Sequence, residues 1–242
     1  SMGKTAFALN VAMRAALSGG ATVAIFSLEM SKESLMDRML CAWGRVELSR
    51  VRRGFLEDDD WAKLSASADA LSRAKIFIDD TAGLTPLALR ARCRRLKAEH
   101  GLDLVMVDYL QLMHSARNDS RELEISDISR NLKALAKEMK VPVIALSQLN
   151  RKVEERTDKR PVLSDLRESG AIEQDADLIM FIHREDAYNK KGDRPKTGIA
   201  EIIIGKHRNG PTGTVELAYR PEFTAFDDLE TTYIEPSESQ QG

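Results

Sequence analysis

The alternation of apolar and polar positions divides the chain into helices and strands in regular succession. After Thr5, the residues Phe7, Leu9, Val11, Ala12, Ala15 and Ala16 recur at helical spacing, and Gly19-Gly20 supply a stop. The β-branched run TVAIFSLE (22–29) predicts a buried strand, and Ser31 with Ser34 opens a helix to about Trp43. Residues 57–74 predict a helix with acids in its first turn, where the helix dipole favours them. KIFIDD (75–80) reads as a strand. The stretch 85–101 reads as a helix, with Pro86 in its first turn and Gly101 past its end. LDLVMVD (102–108) is a strand, and Leu123, Ile125, Ile128, Leu132, Leu135 and Met139 mark a long amphipathic helix. VPVIALSQ (141–148) and ADLIMFIHR (176–184) read as strands, with polar loops at 150–163 and 187–198. IAEIIIGK (199–206) and TVELAYR (214–220) are strands joined by HRNGPTG, which carries strong turn chemistry. The expectation is an α/β domain over residues 1–230: a mostly parallel twisted sheet flanked by helices, with a C-terminal antiparallel hairpin. Residues 231–242 read as a frayed tail.

Composition narrows the class without naming a function. The 242 residues suit one large α/β domain, and a net charge of −2 gives no global field toward nucleic acid or anionic membrane. Any nucleic-acid contact must then come from a local patch or from assembly. Cys41 and Cys93 lie far apart, without metal-ligand spacing, and read as packed free thiols in a reducing compartment. No apolar run approaches the ~18 residues of a membrane span, and there is no secretory leader, so no membrane association and a cytoplasmic location are expected.

The chemistry gathers at strand ends. Gly3-Lys4-Thr5 before a helix is the second half of a phosphate-binding loop. Its lysine reaches β- and γ-phosphates, its hydroxyl ligates magnesium, and the helix directs its positive end at the anion. As a tripeptide it is weak, since such sequences arise by chance. Three apolar runs end in polar residues, Glu29, Asp108 and Gln148, and in a parallel sheet these ends share one edge with Lys4 and Thr5. Asp108 suits a magnesium-holding acid, Glu29 a base for the attacking water, and Gln148 an amide that senses the γ-phosphate. Lys206 and Arg208 alternate on one face at the hairpin base, with His207 on the other. They read either as a charged edge that resists aggregation or as cations offered to a neighbouring subunit's phosphates. The stretch 163–177 is acidic and, taken alone, reads as an ordinary capped helix. The basic run 89–97 reads as the solvated face of a helix or as a subunit contact.

The motifs SMGKTAFALN, FSLEMS, VMVDYLQLM, ALSQLNRKVE, LSDLRESGAIEQDAD and KHRNGPTG, in this order, resemble the bacterial replicative DNA helicases of the DnaB family. The resemblance is to their C-terminal RecA-like P-loop motor domain and covers residues 1 to about 228. It implies ATP and Mg²⁺ as cofactors, bound between subunits of a homohexameric ring around single-stranded DNA. Ser1, Met2, Gly3, Lys4, Thr5 and Asp108 match nucleotide-binding positions, with Thr5 and Asp108 on the Mg²⁺ side. Glu29 matches the catalytic glutamate, Gln148 the sensor, and Lys206 and Arg208 the cations given to the neighbour. Arg151, Arg167, Glu168 and Gly170 match positions that hold the DNA backbone, which raises the reading of 163–177 above a plain helix. For a full-length member the resemblance also implies primase and a helicase loader as partners. Two other readings stand beside it: a recombinase-like or regulatory RecA-type ATPase, and a non-catalytic assembly fragment. The last arises because the glycine of the loop's first half, about five residues before Gly3, lies upstream of Ser1. One expectation is an intein junction there, since splicing needs a nucleophile such as serine as the first downstream residue. Another is that the chain holds ATP poorly by itself.

Overall fold

A strand buried at every position has no face to give to water, and two runs here are of that kind. Residues Val23–Ser27 (β1) and Leu104–Asp108 (β3) are buried throughout. They pair in parallel at the centre of a four-stranded sheet ordered β2-β1-β3-β4, with Ile76–Asp79 (β2) and Val143–Ala145 (β4) on the edges. The computed structural model describes residues 2–114, 120–166, 170–188 and 195–229. Of the positions singled out above, Ser1, Arg167, Glu168 and the tail 231–242 lie outside the described residues.

Successive residues of β1 point to opposite faces, which divides the core in two. Val23 and Ile25 pack with Leu9, Leu35, Met39, Leu71 and Met106, beneath α1 (Lys4–Leu17), α2 (Lys32–Gly44) and α4 (Asp58–Arg73). Ala24 and Phe26 pack with Leu89, Cys93, Val107, Ile128 and Leu135, beneath α5 (Pro86–His100) and α6 (Arg121–Met139). The helices begin where side chains accept the free amides: Ser31 from Ser34, Thr85 from Ala88, and Ser120 from Leu123. Burial raises the thiol of Cys41 to about 11 and that of Cys93 to about 12, in keeping with packing roles. The basic run on α5 is largely ion-paired within the chain: Arg90 and Arg94 meet Glu138 of α6, and Arg92 meets Asp79 at the end of β2.

The second half of the fold is larger than the expected hairpin. Leu178–His183 (β5), Ile199–His207 (β6), Gly213–Arg220 (β7) and Ala225–Asp228 (β8) form an antiparallel sheet in the order β5-β6-β7-β8. β6 and β7 are the pair anticipated from the turn. β5 continues from the short helix Gly170–Asp175 (α7), not from a long crossover, and runs antiparallel to β6. Two elements escaped the pattern. The helix Leu48–Arg53 (α3) has too few residues to show a period, and the AFDD of β8 is half acidic. The polar loop at 150–163 contains the 3-10 turn Arg151–Glu155, and a second such turn, Leu163–Asp165, follows it.

One amide joins α1 to the second sheet. Asn10 is 8 % exposed. Its side chain donates to the carbonyls of Ala6 at 2.8 Å and Thr224 at 3.4 Å, and accepts from the Phe226 amide at 2.8 Å. Around it Ala6, Ala200, Tyr219 and Phe226 form a third apolar cluster, with Phe7 edge-on to Phe226. Replacing Asn10 by Ala strands a buried amide, so Asn10→Ala is expected to lose about 2 kcal/mol of stability in urea unfolding, within the range for an orphaned buried group. An unchanged midpoint would show that the Asn10 bridge contributes nothing.

Candidate active site

The C-terminal edge of the parallel sheet is where the chemistry-bearing residues meet. β1 and β3 end level, with Ser27 beside Asp108, and the Leu28 amide donates to the Asp108 carbonyl at 2.7 Å. Ser27 then shapes the turn that follows: its hydroxyl donates to the Met30 carbonyl at 2.7 Å. This leaves Glu29 exposed just past the strand. α1 starts at the same edge. Its cap, Gly3, has φ of 97°, a left-handed conformation that favours glycine, and a Cβ there would lie 3.2 Å from the Phe226 ring, a tight contact.

Lys4 and Thr5 reach from the first turn of α1 to the ends of β4 and β3. Lys4 Nζ donates to the Ser147 carbonyl at 2.6 Å, and Thr5 Oγ1 donates to Asp108 Oδ2 at 2.8 Å. Burial holds the Asp108 carboxyl above its ordinary value. The Thr5 hydrogen bond works against that rise, Glu29 adds to it, and Lys4 and Arg38 oppose it. Burial pushes the Lys4 ammonium down, offset in part by the carboxylates of Asp108 and Glu29. The lysine, the hydroxyl and the two acids therefore lie within one another's fields, as their strand-end positions predict.

Gln148 lies three residues beyond β4 because the chain turns aside after Leu146. Gln111 fixes that turn: its amide donates to the Ser147 hydroxyl at 2.8 Å and its carbonyl accepts from the Gln148 amide at 3.2 Å. The exposed side chain of Gln148 stays uncommitted among the described residues. Just past it, Leu149 bridges to Leu166, and the Asn150 amide donates to the Asp165 carbonyl at 2.8 Å. Arg156 grips the buried Asp165 with two bonds, 2.9 and 2.7 Å. The segment expected to meet DNA is thus anchored beside Gln148. Within it, Arg151 opens a 3-10 turn and the exposed Gly170 opens α7.

Lys206 and Arg208 do not join this cluster. Both reach the last turn of α7, Lys206 at the Glu173 carbonyl and Arg208 at the Gln174 carbonyl, 3.2 Å away. Met2 precedes the cap and is partly buried. Two supporting residues were not anticipated. Gln111 follows Asp108 by three positions in an apolar stretch. Arg38 stands on α2 between the buried Leu35 and Met39, and its buried Nε has no hydrogen-bond partner among the described residues. A charge on an apolar stripe was the available signal for Arg38.

The raised carboxyl of Asp108 has a consequence for stability. The folded chain binds that proton more tightly than the unfolded chain, so stability falls as pH rises from the ordinary 3.8 through the folded value. Asp108→Asn removes that loss. Its stability relative to the parent should increase as pH rises from about 4 and then level off, measured by urea midpoints up to about pH 8. A difference that is flat or shrinks over that range would refute burial as the dominant influence on Asp108.

Known proteins resemble this chain in sequence and in fold. The family model for the DnaB-like helicase C terminal domain matches residues 1–228. The replicative DNA helicase DnaB of Geobacillus stearothermophilus is 53% identical over 237 residues, covering 97% of this chain and 52% of that protein. The replicative DNA helicase DnaC of Bacillus subtilis (strain 168) is 52% identical over 235 residues, covering 96% and 51%. The chain thus spans about half the length of these curated relatives. Among solved structures, an isolated ATPase domain superposes with a TM-score of 0.89 at 46% identity, covering 95% of this chain and 82% of that one. A DnaB-like replicative helicase, solved in a study of its interactions with primase, gives the same score and identity over 95% and 57%. With the matched family model running across nearly all of its sequence, the chain belongs to the DnaB-like helicase C-terminal domain family.

Proposed function

We propose that this chain is the ATP-hydrolysing motor of a replicative DNA helicase, working at subunit interfaces of a homohexameric ring that moves on single-stranded DNA. The observation that carries the reading is the meeting of Lys4, Thr5 and Asp108 at one sheet edge, with Lys206 and Arg208 directed elsewhere in the same chain. A site with its lysine and acids in one subunit and its extra cations on a distant hairpin suits a nucleotide shared between two copies.

In this reading Lys4 leaves the Ser147 carbonyl for the β- and γ-phosphates, where its positive charge offsets theirs. The Thr5 hydroxyl and Asp108 carboxylate are hard oxygen donors in direct contact, which fits Mg²⁺. The described residues hold no cluster of three or more His, Cys, Asp or Glu, in keeping with an ion that also takes phosphate and water ligands. When bound, Mg²⁺ supplies neutralisation of phosphate charge. Glu29 orients the attacking water and accepts its proton, and Gln148 turns its free amide to the γ-phosphate. Lys206 and Arg208 stabilise the charge that develops on the neighbour's phosphates. Arg151, Arg167, Glu168 and Gly170 hold the DNA backbone. Primase and a loader are partners of the longer protein. No helix among the described residues is long and apolar enough to cross a membrane, and the reading places the protein in the cytoplasm.

The test uses the full-length protein, on a forked duplex with a 5′ single-stranded tail. Glu29→Gln should lower ATP turnover by about 10²- to 10⁴-fold while leaving ATP binding near the parent's, the usual loss for a general base. Lys4→Ala should weaken ATP binding itself, and both should abolish unwinding. ATP turnover without unwinding by the parent would favour a recombinase-like ATPase. A parent that neither binds nor hydrolyses ATP would favour an assembly module.

A further inference from the structure

The two hairpin cations are clamped at their base. Arg208 Nη1 lies 2.9 Å from Asp177 Oδ1, while Nη2 donates to the Gln174 carbonyl at 3.2 Å. Lys206 Nζ donates to the Glu173 carbonyl and, at 3.5 Å, to that of Gln174. The backbone repeats the link: the Arg208 amide donates to the Asp177 carbonyl at 2.8 Å, and Leu178 and Ile179 pair with His207 and Lys206. Gly205 permits the close approach, since a Cβ there would lie 2.6 Å from the Phe181 ring. From the other side, α6 fixes the same segment, through Lys133 on Asp177 and through Ser129, which donates to Asp175 at 2.7 Å.

Asp177 is thus the one carboxylate among the described residues that touches both α6 and the hairpin arginine. A guanidinium offers two edges of a rigid fork. Here one edge is taken by Asp177 and a helix carbonyl, while the side chain remains 49% exposed. An unrestrained arginine samples many rotamers, and ordering it during the reaction raises the barrier; fixing one edge beforehand avoids that.

We infer that Asp177, with the carbonyls of Glu173 and Gln174, is the positioning element that presents Arg208 and Lys206 of one subunit to the phosphates held by the next. The inference rests on the proposed donation of these cations in trans. It makes Asp177 a residue whose loss is felt in the neighbouring subunit's site and not in its own.

That direction can be measured by mixing subunits of the full-length protein in the presence of single-stranded DNA, with exchange followed by energy transfer between labelled copies. Asp177→Asn alone should lower kcat for ATP about tenfold with KM within about twofold, as expected when a charge-assisted hold on a transition-state cation is lost. Lys4→Ala subunits turn over little themselves but keep Asp177 and both cations. Mixed with them, Asp177→Asn subunits should regain turnover severalfold, because their own sites now face intact donors. Arg208→Ala mixed with Lys4→Ala serves as the reference. If the Arg208→Ala mixture recovers and the Asp177→Asn mixture does not, Asp177 acts inside its own subunit and the inference fails while trans donation stands. If neither recovers despite exchange, trans donation fails and the inference with it. An Asp177→Asn protein with parental kcat also overturns it. Should Asp177→Asn not assemble, Asp177→Glu, which keeps the carboxylate on a longer arm, goes through the same mixtures with the same readings.

Discussion

The site depends on keeping a carboxylate ionisable where water is scarce. Asp108 ends a strand buried at all its positions, and its only direct side-chain partner among the described residues is the Thr5 hydroxyl. The charge is costly there, and the fold tolerates it because Lys4 and Arg38 lie within its field. Much of the architecture follows from that requirement. β1 must end level with β3 so that its turn can expose Glu29, and β4 must stop early so that the Ser147 carbonyl can hold Lys4. α1 must begin at the same edge.

Most of the parallel half was legible in the sequence because burial on both faces leaves an unmistakable mark. VAIFS and LVMVD contain no polar position before their last residue, and Asp108 stands out by contrast. Asp108 and Glu29 could therefore be placed together from strand ends, and the Gly-Lys-Thr stretch before a helix joined Lys4 and Thr5 to them. The second sheet was only partly legible. β6 and β7 announce themselves by the Asn209-Gly210-Pro211 turn, whereas β8 is four residues long and α3 six. Supporting residues were harder still. Gln111 acts on the Ser147 hydroxyl and the Gln148 amide, contacts made across 36 and 37 positions that no local pattern encodes. The motifs and their order, more than periodicity, gave Arg151, Arg167, Glu168 and Gly170 their expected role.

The two sheets also divide the labour. The edge of the parallel sheet gathers the acids that end or follow its strands and the lysine and hydroxyl of the first turn of α1. The antiparallel sheet carries Lys206 and Arg208 on a hairpin whose base is tied to α7 and, through Asp177, to α6. The segment anchored beside Gln148 by Arg156 and Asp165 leads along the chain into α7. The chain next to Gln148 is tied by Leu149 and Asn150 to Leu166 and Asp165, and α7 is tied in turn to Lys206 and Arg208.

The Asn10 bridge bears on how the chain is made. Its partners are Ala6, on the same helix, and Thr224 and Phe226, far along the chain, a separation of 216 positions for the longest bond. A Cβ on Gly3 would press on the ring of the same Phe226. During synthesis α1 leaves the ribosome long before Thr224 and Phe226, the distant partners of Asn10, which emerge more than two hundred residues later. Closing so long a loop is entropically slow compared with forming local helices. The helix that carries Lys4 and Thr5 is therefore translated long before part of its surroundings, and a nascent chain that has not reached β8 can pack α1 on β1 and β3 but lacks the partners of Asn10.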